Sequence, residues 1–146
     1  MDDRDLEPLM KALGQAVFAA QIFEMNLGST LIALRLAKGG SGEFADEASA
    51  REWLDHVARQ PIGRLKTEIA SLQLLSEQEI DEIAEINGLR ITVAHHFMSH
   101  WTEHLESHEG RARAISHLKT STETFLRATL RLQDRLAILK AAVSGG

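Results

Sequence analysis

Cysteine and tyrosine are missing from this chain of 146 residues. Without a thiol there is no disulfide, no thiolate metal site and no cysteine nucleophile. Their absence fits a reducing compartment. Prolines number only two, Pro8 and Pro61, and runs of β-branched residues are few, so helix is favoured over sheet. No HExxH, no phosphate-cradling glycine loop and no serine elbow occurs, which removes three common enzyme chemistries. No apolar run approaches the ~18 residues of a membrane span. The acidic start Met1-Asp2-Asp3 is unlike a secretory signal. A cytoplasmic protein with no membrane partner is expected.

What is present reads as one domain, residues 1–146, with 1–4 and 143–146 frayed. Its 44% hydrophobic and 25% charged content suits a core-forming globular chain. A net charge of −5 argues against a dedicated nucleic-acid coat. The charge is uneven, however. From Ser107 onward seven basic and three acidic residues give +4, leaving −9 on the remainder. The basic helix there is either a solvated face or a surface for a phosphate backbone.

Apolar periodicity predicts five helices, three long and two short, packed as an all-α bundle. The first runs from about Asp5 to Ala37, with Leu6, Met10, Leu13, Val17, Ala20, Leu27, Leu31 and Leu34 as its face and Glu24 within the seam. Gly14 and Gly28 inside it suggest close packing, and Lys38-Gly39-Gly40-Ser41-Gly42 ends it. A second helix spans about Phe44 to Arg59 and a third Pro61 to Leu74, separated because the residue before proline avoids the α region. Ser76-Glu77-Gln78-Glu79 is a capping box that opens a fourth helix, expected to continue to Glu106. Gly110 separates it from a last helix, Arg111 to Ala142. That helix carries a coiled-coil-like seam of Ile115, Leu118, Thr122, Phe125, Thr129, Leu132, Leu136, Leu139 and Val143. So long a seam exceeds what one small bundle covers, and a homodimer would cover the surplus. Arg127, Arg131 and Arg135 form an i,i+4 stripe beside it and are the candidate RNA-phosphate contacts.

Chemistry concentrates in the fourth helix, in Asn87-Gly88-Leu89-Arg90-Ile91-Thr92-Val93-Ala94-His95-His96-Phe97. Stepping about 100° per residue puts Arg90 at the centre of an apolar face of Ile83, Ile86, Val93, Phe97 and Trp101. A charge there needs a partner, and Glu24 is the obvious one. A guanidinium held by one carboxylate still has donors for a phosphate oxygen. Histidine is the side chain whose ordinary pKa lies closest to neutrality, but an ideal helix puts His95 and His96 roughly 140° and 120° from Arg90, on either side. They complete a site only if the helix deforms or a second chain supplies the other half. Otherwise they are boundary residues. His96, His100, His104 and His108 stand four apart, yet the row drifts by about 40° per step and no carboxylate-histidine motif completes it. No metal site and no cofactor is assigned.

Leu89-Arg90-Ile91-Thr92-Val93-Ala94-His95-His96-Phe97 resembles the signature of the HEPN superfamily, an arginine and a histidine four to six residues apart on a late helix. Four residues separate Arg90 from His95, and five separate it from His96. Ala94-His95-His96-Phe97 is similar to a common form of the motif's end, and Glu24 among Ala20, Ile22, Phe23 and Leu27 fits the family's first helix. The chain departs at Ile91, where many members carry a polar residue, and Asn87 one turn earlier is the candidate substitute. The resemblance implies a dimer with two motifs across a shared cleft. It also implies either a metal-independent endoribonuclease or a non-catalytic interaction domain, with RNA or a cognate protein as partner. In the enzyme reading Arg90 anchors phosphate, His95 is the general base or acid and His96 is accessory. Glu24 and Asn87 orient Arg90.

Overall fold

The computed structural model describes residues 3–39, 47–58, 70 and 75–144. In chain order these form α1 (Asp3–Gly39), α2 (Glu47–Ala58), α3 (Glu77–His95), α4 (Phe97–Trp101), a 3-10 turn (His104–Glu106) and α5 (His108–Ser144). No strand occurs among the described residues, and three of the helices are long, so the architecture is the expected all-α bundle. The expected helix over Pro61–Leu74 lies outside the described residues except for Ala70, which is helical. Helix reaches Asp3 and Ser144, so both ends are more ordered into helix than expected.

Side-chain size decides how α1 and α5 meet. Ala12, Ala16, Ala19 and Ala20 of α1 are buried, as are Ala114, Ser121 and Ala128 of α5. Such small residues let two backbones approach closely along much of their length. Larger side chains fill the spaces left, with Phe23 and Phe125 both fully buried and their ring centroids 6.3 Å apart. The helices run parallel: Ala12 shares a surface depression with Ile115, Phe23 meets Phe125, and Thr30 shares a cleft with Leu132. α3 runs antiparallel to α5, because Glu79 pairs with Arg135 while Glu82 pairs with Arg131. α2 leans on the far half of α1, where the Arg35 guanidinium sits 4.6 Å over the Trp53 ring.

The expected face of α1 holds at Ala20, Leu27 and Leu31, which are buried, and Leu13 and Val17 pack against the core, but it fails at the start of the helix. Met10 is 62% exposed and Leu6 37%, whereas Leu9, Ala12, Ala16 and Ala19 are buried in their place. Apolarity alone favoured the larger residues, while close approach to α5 selects the alanines. The α5 seam behaves as expected at Leu118, Phe125, Thr129 and Leu132, all buried, but α1 of the same chain covers them. The exposed large apolar side chains are a different set, including Met10, Phe18, Met25, Leu126 and Leu130. In α1, moreover, the stretch Leu6–Ala33 is long and apolar enough to cross a membrane by length and composition, which corrects the expectation of no such run. Only Glu7, Lys11 and Glu24 are charged in those 28 residues, and 39% of an apolar 18-residue window within it is buried in the bundle.

The fourth helix is not continuous to Glu106. α3 ends at His95, and after α4 the chain tightens into the 3-10 turn before α5 starts at His108. The capping box at its start forms as predicted: the Glu79 amide donates to Ser76 Oγ and the Ser76 amide to Glu79 Oε1, each 3.1 Å. Gly110 sits inside the first turn of α5 rather than between helices, buried against the 3-10 turn. A Cβ there would lie 1.7 Å from the His104 carbonyl oxygen. The Arg111 side chain secures the same junction by donating from Nη1 to the Leu105 carbonyl at 2.9 Å.

Gly14 is the opposite case, since nothing lies within 4 Å of a Cβ built on it. The close packing expected at that glycine is absent. Gly14→Ala is therefore expected to stabilise by about 1 kcal/mol through helix propensity, a rise of about 2–4 °C in Tm. Gly110→Ala drives a methyl into backbone and is expected to cost about 1–3 kcal/mol. Thermal melts of both variants check this, and equal shifts would remove the distinction between them.

Candidate functional site

Arg90 enters the core because it replaces an apolar residue on the α3 face that buries Ile80, Ile83, Ile86 and Val93. It is 7% exposed, as the helical spacing predicts. Two side chains hold its guanidinium. Nε donates to Asn87 Oδ1 at 2.8 Å, one turn earlier on α3, and Nη1 lies 3.5 Å from Glu24 Oε2 on α1. The two contacts differ in kind. The first is short and fully buried, and Asn87 itself is 1% exposed. The second is longer than the about 2.7–2.9 Å of a charge-assisted hydrogen bond. The Glu24 side chain is also 47% exposed against 8% for the arginine side chain. One further polar atom lies here without a hydrogen-bond partner, the buried Nδ2 of Asn87. Glu24, Asn87 and Arg90 thus come together as the sequence suggested.

His95 and His96 do not join them. Both are exposed, and their contact is with each other, ring centroids 6.4 Å apart and edge to face. The helix deforms where they stand. His96 has φ −124° and ψ 9°, closing α3 and opening α4, while its amide still donates to the Thr92 carbonyl at 2.9 Å. Hydroxyl side chains also bond to carbonyls around the break. Thr92 Oγ1 donates to the Gly88 carbonyl at 3.2 Å, and Ser99 Oγ donates to the His96 carbonyl at 3.0 Å. Beyond the break Phe97 returns to the core, and its ring lies stacked with Trp101 at 6.4 Å.

The remaining histidines of the row have other company. Trp101 lies between His104, at 5.0 Å, and His117 of α5, at 5.3 Å. No three metal-binding side chains gather closely enough to hold an ion among the described residues. The arginine stripe of α5 is largely engaged with α3. Arg131 Nη1 donates to Glu82 Oε1 at 3.0 Å, and Arg135 Nε lies 3.4 Å from Glu79 Oε2. Arg127, 74% exposed, lies 3.6 Å from Glu123 on its own helix. A phosphate reaching Arg131 or Arg135 therefore competes with a carboxylate already in place. These two pairs rim an open cleft of about 310 Å³ floored by Phe23, Ile83, Ile86 and Leu132.

Arg111 escaped the sequence reading although its position signalled it. It stands seven residues before Leu118 on the α5 seam, which turns it inward to 9% exposure. The complementary spacing of Glu79 and Glu82 with Arg135 and Arg131 was also visible. It becomes meaningful only once α3 and α5 are known to be antiparallel. Searches against family models, curated proteins and solved structures found no match to this chain.

The burial difference sets an order of stability effects. Asn87→Ala removes a buried acceptor from Arg90 and is expected to cost about 1–3 kcal/mol. Arg131→Ala breaks a half-exposed pair and is expected to cost about 0.2–1 kcal/mol. Urea denaturation of the two variants measures both, and the reverse order would show that the buried contact is not the anchor.

Proposed function

We propose that this chain is a HEPN-like, metal-independent endoribonuclease acting as a homodimer, in a toxin, phage-defence or RNA-processing role. What supports the reading is one juxtaposition. A buried guanidinium, fixed from beneath by Asn87, lies one to two helical turns before a helix break that exposes two histidines.

RNA carries its own nucleophile. His95 takes the proton of a 2′-hydroxyl, and the oxygen attacks the adjacent phosphorus. Arg90 stabilises the charge that develops on the phosphorane. The bond to the 5′-oxygen breaks, and a protonated histidine, His96 or one from a second copy, returns a proton to that oxygen. The products are a 2′,3′-cyclic phosphate and a 5′-hydroxyl. A second copy has a definite role here, because His95 and His96 of one chain do not touch Arg90 of the same chain.

The Glu24–Arg90 contact favours a second reading, a non-catalytic helical interaction domain whose arginine serves stability and which binds a cognate protein. Incubation of labelled RNA with the purified protein in EDTA separates the two. The nuclease reading expects cleavage with cyclic-phosphate ends. His95→Ala is expected to lose about 10²-fold or more, and Arg90→Ala about 10²–10³-fold. RNA carrying 2′-deoxy sugars is expected to resist. Equal cleavage by all three proteins, or none by the wild type, would sink it.

A further inference from the structure

We infer that Glu24 is a displaceable lid on Arg90, occupying the place on the guanidinium that a phosphodiester of bound RNA takes. The inference rests on the RNA reading above and adds a regulatory role for a residue of α1. Three observations carry it. The Arg90 side chain is anchored independently of Glu24, by the 2.8 Å bond from Nε to Asn87. Losing the carboxylate therefore need not release the arginine. The Glu24 contact is loose at 3.5 Å, and the Glu24 side chain is 47% exposed against 8% for Arg90, so Glu24 meets the buried cation from the solvent side rather than sharing its burial. Finally, Asn87 Nδ2, an unpartnered donor on a side chain 1% exposed, belongs to the amide that already grips Arg90.

Chemically the site is a fixed cation and a spare amide donor beneath one removable anion. A carboxylate oxygen and a non-bridging phosphate oxygen make the same demand on a guanidinium, so they exclude each other there. Swinging Glu24 outward adds little to its own exposure, so the cost of opening lies in the uncompensated Arg90 charge. The arginine that remains is a buried charge without its counter-ion, which favours an incoming phosphate strongly. Arg90 is thus kept neutralised in the free protein and is uncovered only where RNA can replace the carboxylate.

The test uses a labelled 2′-O-methyl RNA oligonucleotide, which can bind but not be cleaved. Glu24→Gln keeps the shape and removes the charge, and it is expected to tighten binding roughly two- to fivefold. The gain is expected to vanish in the Glu24→Gln, Arg90→Ala double variant. Weaker or unchanged binding by Glu24→Gln overturns the inference, as does a gain that survives without Arg90. Should Glu24→Gln fail to fold, Glu24→Asp serves, since a carboxylate shortened by one carbon withdraws from Arg90 and is expected to shift affinity the same way. Cleavage of unmodified RNA in EDTA is scored in parallel. An Arg90-dependent gain in binding without any cleavage keeps the lid and removes the nuclease. Cleavage that needs Arg90 and His95, with unchanged binding in Glu24→Gln, does the reverse.

Discussion

Close approach of α1 and α5 governs where every other element can go. Two helices of 37 residues each lie parallel with alanines at 12, 16, 19 and 20 set against alanines at 114 and 128. Parallel neighbours cannot be joined by a short turn, so the chain between them must travel back along the pair. α3 is the described part of that return. The Glu79–Arg135 and Glu82–Arg131 pairs place its start beside α5, and its isoleucines fill the groove. Helical rise then fixes the outcome, because eight residues from Glu82 advance α3 by about 12 Å. Arg90 arrives beside α1 at Glu24 as a consequence of packing decided elsewhere.

The two rim pairs and the Arg90 pair look alike as charge contacts and differ in energetic character. Arg131 and Arg135 reach partners in partly exposed positions, where such pairs contribute about 0–1 kcal/mol and specify register more than stability. Arg90 is desolvated, so its partners matter because the guanidinium is costly without them. Asn87 supplies a neutral acceptor that never leaves, and Glu24 supplies a charge at the edge of solvent. Splitting the work between a fixed dipole and an exposed anion leaves the cation held at all times but neutralised only conditionally. A pair of buried carboxylates would have stabilised Arg90 and closed it to any other anion.

Legibility in the sequence followed the kind of physics each feature depends on. Local rules were readable: the capping box at Ser76 and Glu79, the helical class, and the inward direction of Arg90 all follow from spacing within one helix. Glu24 as the partner of Arg90 was readable as well, because a buried charge leaves few candidates. The inner face of α1 was readable at Ala20, Leu27 and Leu31 but not at its start, since Met10 and Leu6 outrank alanine on any apolar scale. Only the proximity of α5 makes small size the deciding property. Likewise the break at His96, with φ −124° and ψ 9°, falls within a stretch that the apolar pattern carries straight through. Gly110 read as punctuation, and it proved to be a point of backbone contact with His104.

Geometry also constrains how two copies could complete a site. On α1, stepping about 100° per residue, Phe18 and Met25 lie roughly 100–120° from Glu24. On α5, Leu126 and Leu130 lie roughly 100–180° from Arg131 and Arg135, which face α3. These exposed apolar side chains therefore lie sideways of, or opposite to, the directions of Glu24, Arg131 and Arg135, whereas the exposed Leu6 and Met10 lie within about 40° of Glu24. A dimer that buried only the first set would not by itself bring the two motifs together. A shared cleft instead requires contact through the corner where α3 meets α4, whose one large exposed apolar side chain is Met98, flanked by His95, His96 and His100. That corner is polar, so an association through it would draw on RNA bridging both copies as much as on apolar burial. Under the proposed nuclease reading, catalysis by two chains and binding of one RNA across them would be a single event, in keeping with the proposed lid on Arg90.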